Sequence, residues 1–486
     1  MYSWREPITN PSSASCGWDG KRGGAWVMLD RFVFRRDGGV KPLPENETTA
    51  GSSTCIDVPF RVSLDLVPPP AASRINVEWP GGPKANAGSL VAAHRDCILF
   101  RLTSIVRSKT SPQYLIFPDD YYIYRLAAAD GSSPSLTRLP PSIRAKTDAI
   151  GEEPEPDRKS DLKSESESGS GSSESESGEI VVSKEVKWAE KVIQEAYQRR
   201  LALGVDVDKE VVPSSLVMQN IGLCSDEASS VVVAELQLNK RKRKVSAELS
   251  LLHSDKCGCE WVYMSLPIQC NNHSSGDLHV FWTQATVPFS DHLCWVDYRR
   301  GIVLGQDMQK LSPNLSYIPF PRTSSSVHEH KLRSVCATDG GSKLKFIDVV
   351  VDKQPRSTGF TIVSYNLVLT EGHMKWEKET SMTSKELWGL QAPGRVPREV
   401  PLFPLVSLDK PQIVHLQFSE CTDYIDTVTL VTIDMDAKEV ISVLPHIKGE
   451  QELHGEDADV VEARTSLPQP FLPVTFSRPL NLTRHT

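Results

Sequence analysis

Cys294-Trp-Val-Asp-Tyr-Arg-Arg-Gly-Ile-Val-Leu-Gly-Gln-Asp307 carries two apolar runs, 293–296 and 302–304, on either side of a polar turn that contains Gly301. Strong strand formers flanking a short Gly-containing turn predict a β-hairpin, with the glycine supplying the positive φ of a tight turn. Asp297 leads into that turn, where its carboxylate can accept turn N–H groups. Trp295 sits in the first strand. Leu315-Ser-Tyr-Ile-Pro319 follows as a further strand, closed by Pro319.

Working outward, the same kind of segment recurs. Toward the N-terminus, strands are expected at 25–34, 60–66, 74–79, 89–93, 96–102, 114–117, 121–126 and 136–139. Toward the C-terminus they are expected at 229–238, 246–252, 260–266, 343–351, 360–369, 373–380, 413–419, 428–434 and 439–444. Many short strands separated by turn signals indicate an all-β chain. Four strand endings share a Leu/Ile-Pro form: Leu139-Pro140, Leu266-Pro267, Ile318-Pro319 and Leu444-Pro445. The middle two lie at a spacing typical of propeller blades. At least one further four-strand set is expected around Phe346, Phe360, Trp376 and Trp388. The fold class is therefore all-β and β-propeller-like, ahead of a β-sandwich.

Residues 147–183 interrupt this pattern. Within them, 151–179 carry ten acidic and three basic side chains, a net −7 of the chain's formal −8, so the remainder stands near −1. Almost nothing apolar is available there to offset ordering entropy, so the segment is expected to be disordered. Residues 184–204 then show helical spacing through Ala189, Val192, Ile193, Ala196 and Leu203, with Gly204 as a cap. The resulting plan is a disordered 1–23, a first part of the propeller at 24–146, the insertion at 147–183, an amphipathic helix at 184–204, the remainder of the propeller at 205–448, and a loosely ordered tail at 449–486.

Bulk properties exclude some roles. At 39% hydrophobic and 24% charged, the 486-residue chain is of ordinary globular composition. A nearly neutral body argues against a general nucleic-acid or anionic-membrane binder. The N-terminus has no apolar signal core, and no run of apolar residues is long enough to span a bilayer. Ten irregularly spaced cysteines suit a reducing compartment, cytoplasmic or nuclear.

Taken together, the strands resemble the large plant family, expanded in grasses, known as the domain-of-unknown-function 1618 family. The resemblance rests on 26–30, 91–99, 121–125, Pro134-Ser-Leu136, Leu139-Pro140, Ile221-Gly-Leu223, 232–237, Glu260-Trp261, the 294–302 hairpin and Tyr317-Ile-Pro319, across most of 24–446. It implies a β-propeller-like body similar to the associated domains of F-box proteins, and no established activity. It does not imply a ubiquitin-ligase adaptor role, because no Leu-Pro-rich helical F-box segment is read before the body.

Candidate sites are few. His253, Cys257, Cys259, Cys270 and His273 form a metal-like cluster, but a Cys-x-Cys with an irregular remainder is poor zinc geometry. His328-Glu329-His330 lies in a Ser-rich loop and lacks the one-face arrangement of a metalloprotease helix. No nucleophile elbow and no phosphate-binding glycine loop is present, so no catalytic residue, metal or cofactor is assigned. Asp297 and Asp434 read as turn caps, and Trp295, Trp376 and Trp388 as blade core. Lys240, Arg241, Lys242, Arg243 and Lys244 form either a nuclear-import patch or a solvated hairpin tip. Ser164 and Ser173 open Ser/Glu runs suited to acid-directed kinases. The expectation is a non-enzymatic, monomeric scaffold that binds a protein partner through propeller loops. The alternatives are an enzyme or small-ligand binder using the central channel and, more weakly, a nuclear nucleic-acid regulator.

Overall fold

The computed structural model describes residues 25–37, 42–83, 88–107, 115–126, 133–143, 198, 202, 214–226, 230–241, 244–254, 260–270, 275–310, 312–322, 328–352, 359–370, 373–421, 426–447 and 470–476. The expected disordered stretches 1–23 and 147–183 lie outside these residues. Of the expected helix at 184–204, only Gln198 and Ala202 are described, and both are helical.

The chain folds into small sheets, antiparallel except where Ala25–Arg35 runs parallel to Ala72–Glu78 in the first. The first contains β1 (Ala25–Arg35), β2 (Ala50–Ser53), β3 (Pro59–Asp65) and β4 (Ala72–Glu78). The second contains β5 (Gly88–His94), β6 (Cys97–Thr103), β9 (Asp119–Arg125) and β10 (Ser135–Arg138), with β7 (Val106–Arg107) and β8 (Leu115–Ile116) as a separate ribbon. The third holds β11 (Ile221–Ser225), β12 (Val231–Arg241), β13 (Lys244–His253) and β14 (Val262–Gln269). The fourth holds β15 (Ala285–Phe289), β16 (His292–Asp297), β17 (Gly301–Gln306) and β18 (Asn314–Pro319). The fifth is β19 (Arg333–Thr338), β20 (Lys343–Val351), β21 (Phe360–Thr370) and β22 (His373–Thr383). The sixth is β23 (Leu402–Val406), β24 (Ile413–Cys421), β25 (Asp426–Asp434) and β26 (Glu439–Ile447). Sheets one and two touch through a single bridge, Phe32 to Ser89. Sheets three and four touch through a short parallel pair, Ile268–Gln269 beside Leu315–Ser316.

These sheets stand around an axis. β5 lies against β11, β11 against β15, β15 against β19, and β19 against β23. A last strand, β27 (Leu472–Phe476), pairs antiparallel with β1 and also packs on β5. This strand falls within the stretch expected to be a loose tail. Leu472, Val474 and Phe476 alternate into the core at 5%, 1% and 0% exposure, a strand that Pro-rich flanks conceal in the sequence. Between sheets six and one, Trp26, Met28 and Phe471 join Leu405, Val414 and Val431 in one apolar cluster, which completes the ring. The fold is all-β and propeller-like.

Radial packing explains why the opening hairpin is apolar throughout rather than alternating. Along β16, Leu293 and Trp295 join the core shared with sheet three, while Cys294 and Val296 join the core shared with sheet five. Both faces are buried, so both must be apolar. The Leu/Ile-Pro endings also find their reason. Pro267, Pro319 and Pro445 lie in β14, β18 and β26, and Pro140 just follows β10. Each is the fourth strand of its sheet, where proline's missing N–H is best tolerated.

Gly301 needs a different explanation from the one its turn suggested. Its φ is not positive; among the described glycines only Gly341 has that conformation. A Cβ on Gly301 would instead lie 2.3 Å from the Ile318 carbonyl oxygen and 2.8 Å from the Pro319 Cα. The glycine is required by the close approach of β18. Gly301→Ala should therefore lower the thermal unfolding midpoint by about 2 °C or more, whereas Gly51→Ala, whose Cβ meets only ordinary contacts, should leave it nearly unchanged. Differential scanning calorimetry of the two variants checks this, and equal midpoints would remove the steric argument.

Candidate functional site

Four residues singled out in the sequence come together in sheet four. Trp295 is fully buried and donates its indole N–H to the Asn220 carbonyl at 2.8 Å. Asp297, 0% exposed, accepts from the Arg299 backbone N–H at 2.9 Å, the Trp282 backbone N–H at 2.9 Å and the Arg300 guanidinium at 3.0 Å. Gly301 pairs with Asp297 on one side and Pro319 on the other. This group locks a turn and offers no free acid. Asp434 accepts from the Asp436 and Ala437 N–H groups at 2.9 and 2.8 Å, which is also a turn cap. The two aspartates belong to different turns, one between second and third strands and the other between third and fourth. They therefore form no acid pair.

The remaining sequence candidates are dispersed. Lys240 donates to the Phe281 carbonyl at 2.8 Å, and Arg241 pairs with Lys244 to end the β12–β13 hairpin. Lys242, Arg243, Ser164, Ser173, Cys257, Cys259 and His273 lie outside the described residues. His253 is buried in β13 and Cys270 is half-buried beyond β14. Glu329 is ion-paired with Arg333 at 3.0 Å. Asp291, His292 and Asp307 bring potential ligand atoms within 4.8 Å of one another. His292 Nδ1 already accepts the Asp307 N–H at 3.0 Å, however, and Lys310 holds the Asp307 carboxylate at 2.6 Å.

A central channel follows from the propeller-like class, but sequence reasoning had no means of naming the residues that line it. A cavity of about 120 Å³ lies among the inner strands β5, β15, β19, β23 and β27. Its polar groups include Arg31, His94, Arg95, Tyr298, Ser334 and Cys336, and its apolar wall includes Phe403, Leu408 and Phe471. Among the described residues, no carboxylate lines it. Arg31 enters from β1, its Nε donating to the Pro470 carbonyl at 3.1 Å and its Nη1 to the Val91 carbonyl at 3.5 Å. Burial lowers its pKa, yet a guanidinium keeps its charge at any ordinary pH. Burial, then the charge of Arg95, pushes the His94 imidazole down to about 4, and its Nδ1 accepts the Ser225 N–H at 3.0 Å. Burial raises the Cys336 thiol above its usual range, with Ser334 Oγ at 3.1 Å.

A second feature is on the outside. Ile143, Val217, Val262 and Tyr263 are 59%, 40%, 41% and 44% exposed. Hydrogen bonds hold their segments together. Ser142 Oγ lies 3.1 Å from the Tyr263 hydroxyl, the Ser215 N–H donates to the Ser142 carbonyl at 2.8 Å, and the Trp261 indole donates to the Pro140 carbonyl at 2.9 Å. Val262 and Tyr263 belong to β14, and Ile143 and Val217 lie on the segments that flank residues 144–213.

Residues 295–415 match the family described as Protein of unknown function (DUF1618). That span runs from Trp295 in β16 to His415 in β24. No curated protein matches this chain. Among solved structures it is similar to the crystal structure of endo-arabinase from Bacteroides thetaiotaomicron VPI-5482, at 12% identity over 48% of this chain and 80% of that one, with a TM-score of 0.23. A likeness at that level carries no argument about fold or activity.

His94 and His415 together make a prediction. His415 is buried in β24 beside Trp26 and Thr432, and burial pushes it down to about 4 despite the carboxylate of Asp409. An unfolded histidine titrates near 6.5, so between pH 6.5 and about 4 the unfolded chain binds more protons than the folded one. Stability should be fully present above that window and should fall as pH drops through it. Unfolding midpoints across the window should show this slope. The slope should flatten in His94→Asn and in His415→Gln; unchanged slopes would show that other groups carry it.

Proposed function

We propose that this chain is a non-enzymatic interaction scaffold whose propeller body presents an apolar patch to a protein partner. The observation that carries the reading is the set of exposed apolar side chains Ile143, Val217, Val262 and Tyr263, on β14 and on segments tied to it and to each other by hydrogen bonds. Exposed apolar side chains with an aromatic among them, held on tethered segments, suit a docking surface. The acidic 151–179 tract springs from the same place and suits an electrostatic role in steering a basic partner. The non-enzymatic part is supported by the channel, whose imidazole and thiol are held in forms poorly suited to proton exchange near neutral pH.

In this reading the resemblance to the plant domain-of-unknown-function 1618 family extends over the whole propeller, together with its likeness to F-box-associated domains. The chain acts as a monomer in the cytoplasm or nucleus without a cofactor. Among the described residues, no helix is long and apolar enough to cross a membrane. The nucleic-acid reading is weaker, because Lys240, near the hairpin tip, already donates to the Phe281 backbone carbonyl.

The test is affinity co-purification with the intact chain and with a Val262→Asp, Tyr263→Ser double variant. Both changes are on exposed side chains of an outer strand, so the fold should persist. Loss of an exposed aromatic anchor should weaken a bound partner about 30-fold, as measured by surface plasmon resonance with the recovered protein. An undiminished partner set in the double variant would overturn this patch as the docking surface.

A further inference from the structure

The channel holds a charge that the scaffold role does not use. Arg31 has two carbonyl acceptors, through Nε and Nη1, and no carboxylate among the described residues pairs with it. Among the described residues its Nη2 has no hydrogen-bond partner, and the side chain lines the cavity. Placing a guanidinium in so enclosed a position without an anion is unfavourable, because backbone carbonyls replace only part of its hydration. A second cation, Arg95, lines the same space.

The rest of the wall is apolar and specifically shaped. Phe403 is buried at φ 48°, a left-handed backbone conformation that bulky side chains rarely adopt. It falls where β23 slips register between Leu402 and Leu405, at the cavity wall. Strain of this kind tends to persist where the surrounding structure positions a binding group. Phe403, Leu408 and Phe471 thus face a space of about 120 Å³, the volume of about four waters at liquid density.

We propose that the central channel binds a small organic acid, its carboxylate gripped by Arg31 and its hydrocarbon body against Phe403, Leu408 and Phe471. A planar guanidinium matches a carboxylate in a two-point, charge-assisted contact, and the apolar wall selects against a bare inorganic anion. This assignment is independent of the outer patch: either can fail while the other stands.

The experiment uses the full chain and isothermal titration with benzoate, hexanoate, the neutral analogue benzamide and inorganic phosphate. At least one of the two acids should bind at millimolar concentration or below, and the same acid should raise the unfolding midpoint in proportion to its occupancy. Benzamide and phosphate should bind at least about tenfold more weakly. Arg31→Met should abolish binding of the acid. Arg31→Lys, which keeps the charge and loses the planar fork, should weaken it at least about tenfold. Ala337→Phe, which narrows the cavity without touching the charge, should weaken it too, so the test survives if one variant fails to fold. No binding of either acid, equal binding of benzamide, equal binding of phosphate, or an undiminished response in a folded Arg31→Met would each overturn the proposal.

Discussion

The pairing of β27 with β1 is the interaction on which the rest of the molecule depends. Each of sheets two to six is built from one continuous stretch of chain and could in principle form locally. A row of such sheets, however, leaves an apolar face uncovered at either end. Joining the first and last sheets removes both faces at once, and that joint is made by Leu472, Val474 and Phe476 against β1, with Trp26, Met28 and Phe471 filling the seam toward sheet six. The inner strands are held on a common axis only once this closure exists, so the channel is a property of the closed ring and of no single sheet.

Within the ring, neighbouring sheets are also fastened by buried polar contacts. Arg333, at the start of β19, donates to Asp348 at 3.0 and 3.2 Å and to the Arg322 carbonyl at 3.0 Å. It also reaches across to the Tyr298 carbonyl in sheet four at 2.6 Å. Glu329 adds a second anion at 3.0 Å. Tyr298 lies in the turn that Asp297 organises. The turn cap, the inter-sheet arginine and the wall of the channel are thus one connected piece of structure. Apolar packing between sheets is tolerant of small sliding motions, whereas these directional bonds fix the angle at which sheets four and five meet.

Much of this was legible in the sequence because outer strands and hairpins are local objects. The β16–β17 hairpin, the β20–β22 meander and the Leu/Ile-Pro closings can be read from a few neighbouring residues. The inner strands are harder. β15 and β23 are short and contain Pro288 and Pro404, so their composition looks like that of loops. β27 hides in a Pro-rich tail, and its partner is at the far end of the chain. Gly301 was legible as a turn residue but not for its true reason, since the constraint comes from Ile318 in a third strand. The lining of the channel was illegible for the same cause: Arg31, His94, Tyr298, Phe403 and Phe471 share no motif, and only ring closure brings them to one cavity. The outer patch was missed because Ile143 and Val217 are separated by the acidic insertion.

The backbone bond between Ser142 and Ser215, with the Ser214 hydroxyl donated the Ser142 N–H at 3.3 Å, has a further meaning. It works as a clasp, joining the two stems of the segment before they enter the propeller. With the two stems already joined, doubling the length of chain between them would add only about 0.6 kcal/mol of closure entropy. The position therefore behaves as a docking port in the mechanical sense, where sequence can be lengthened, shortened or exchanged while the ring keeps its geometry.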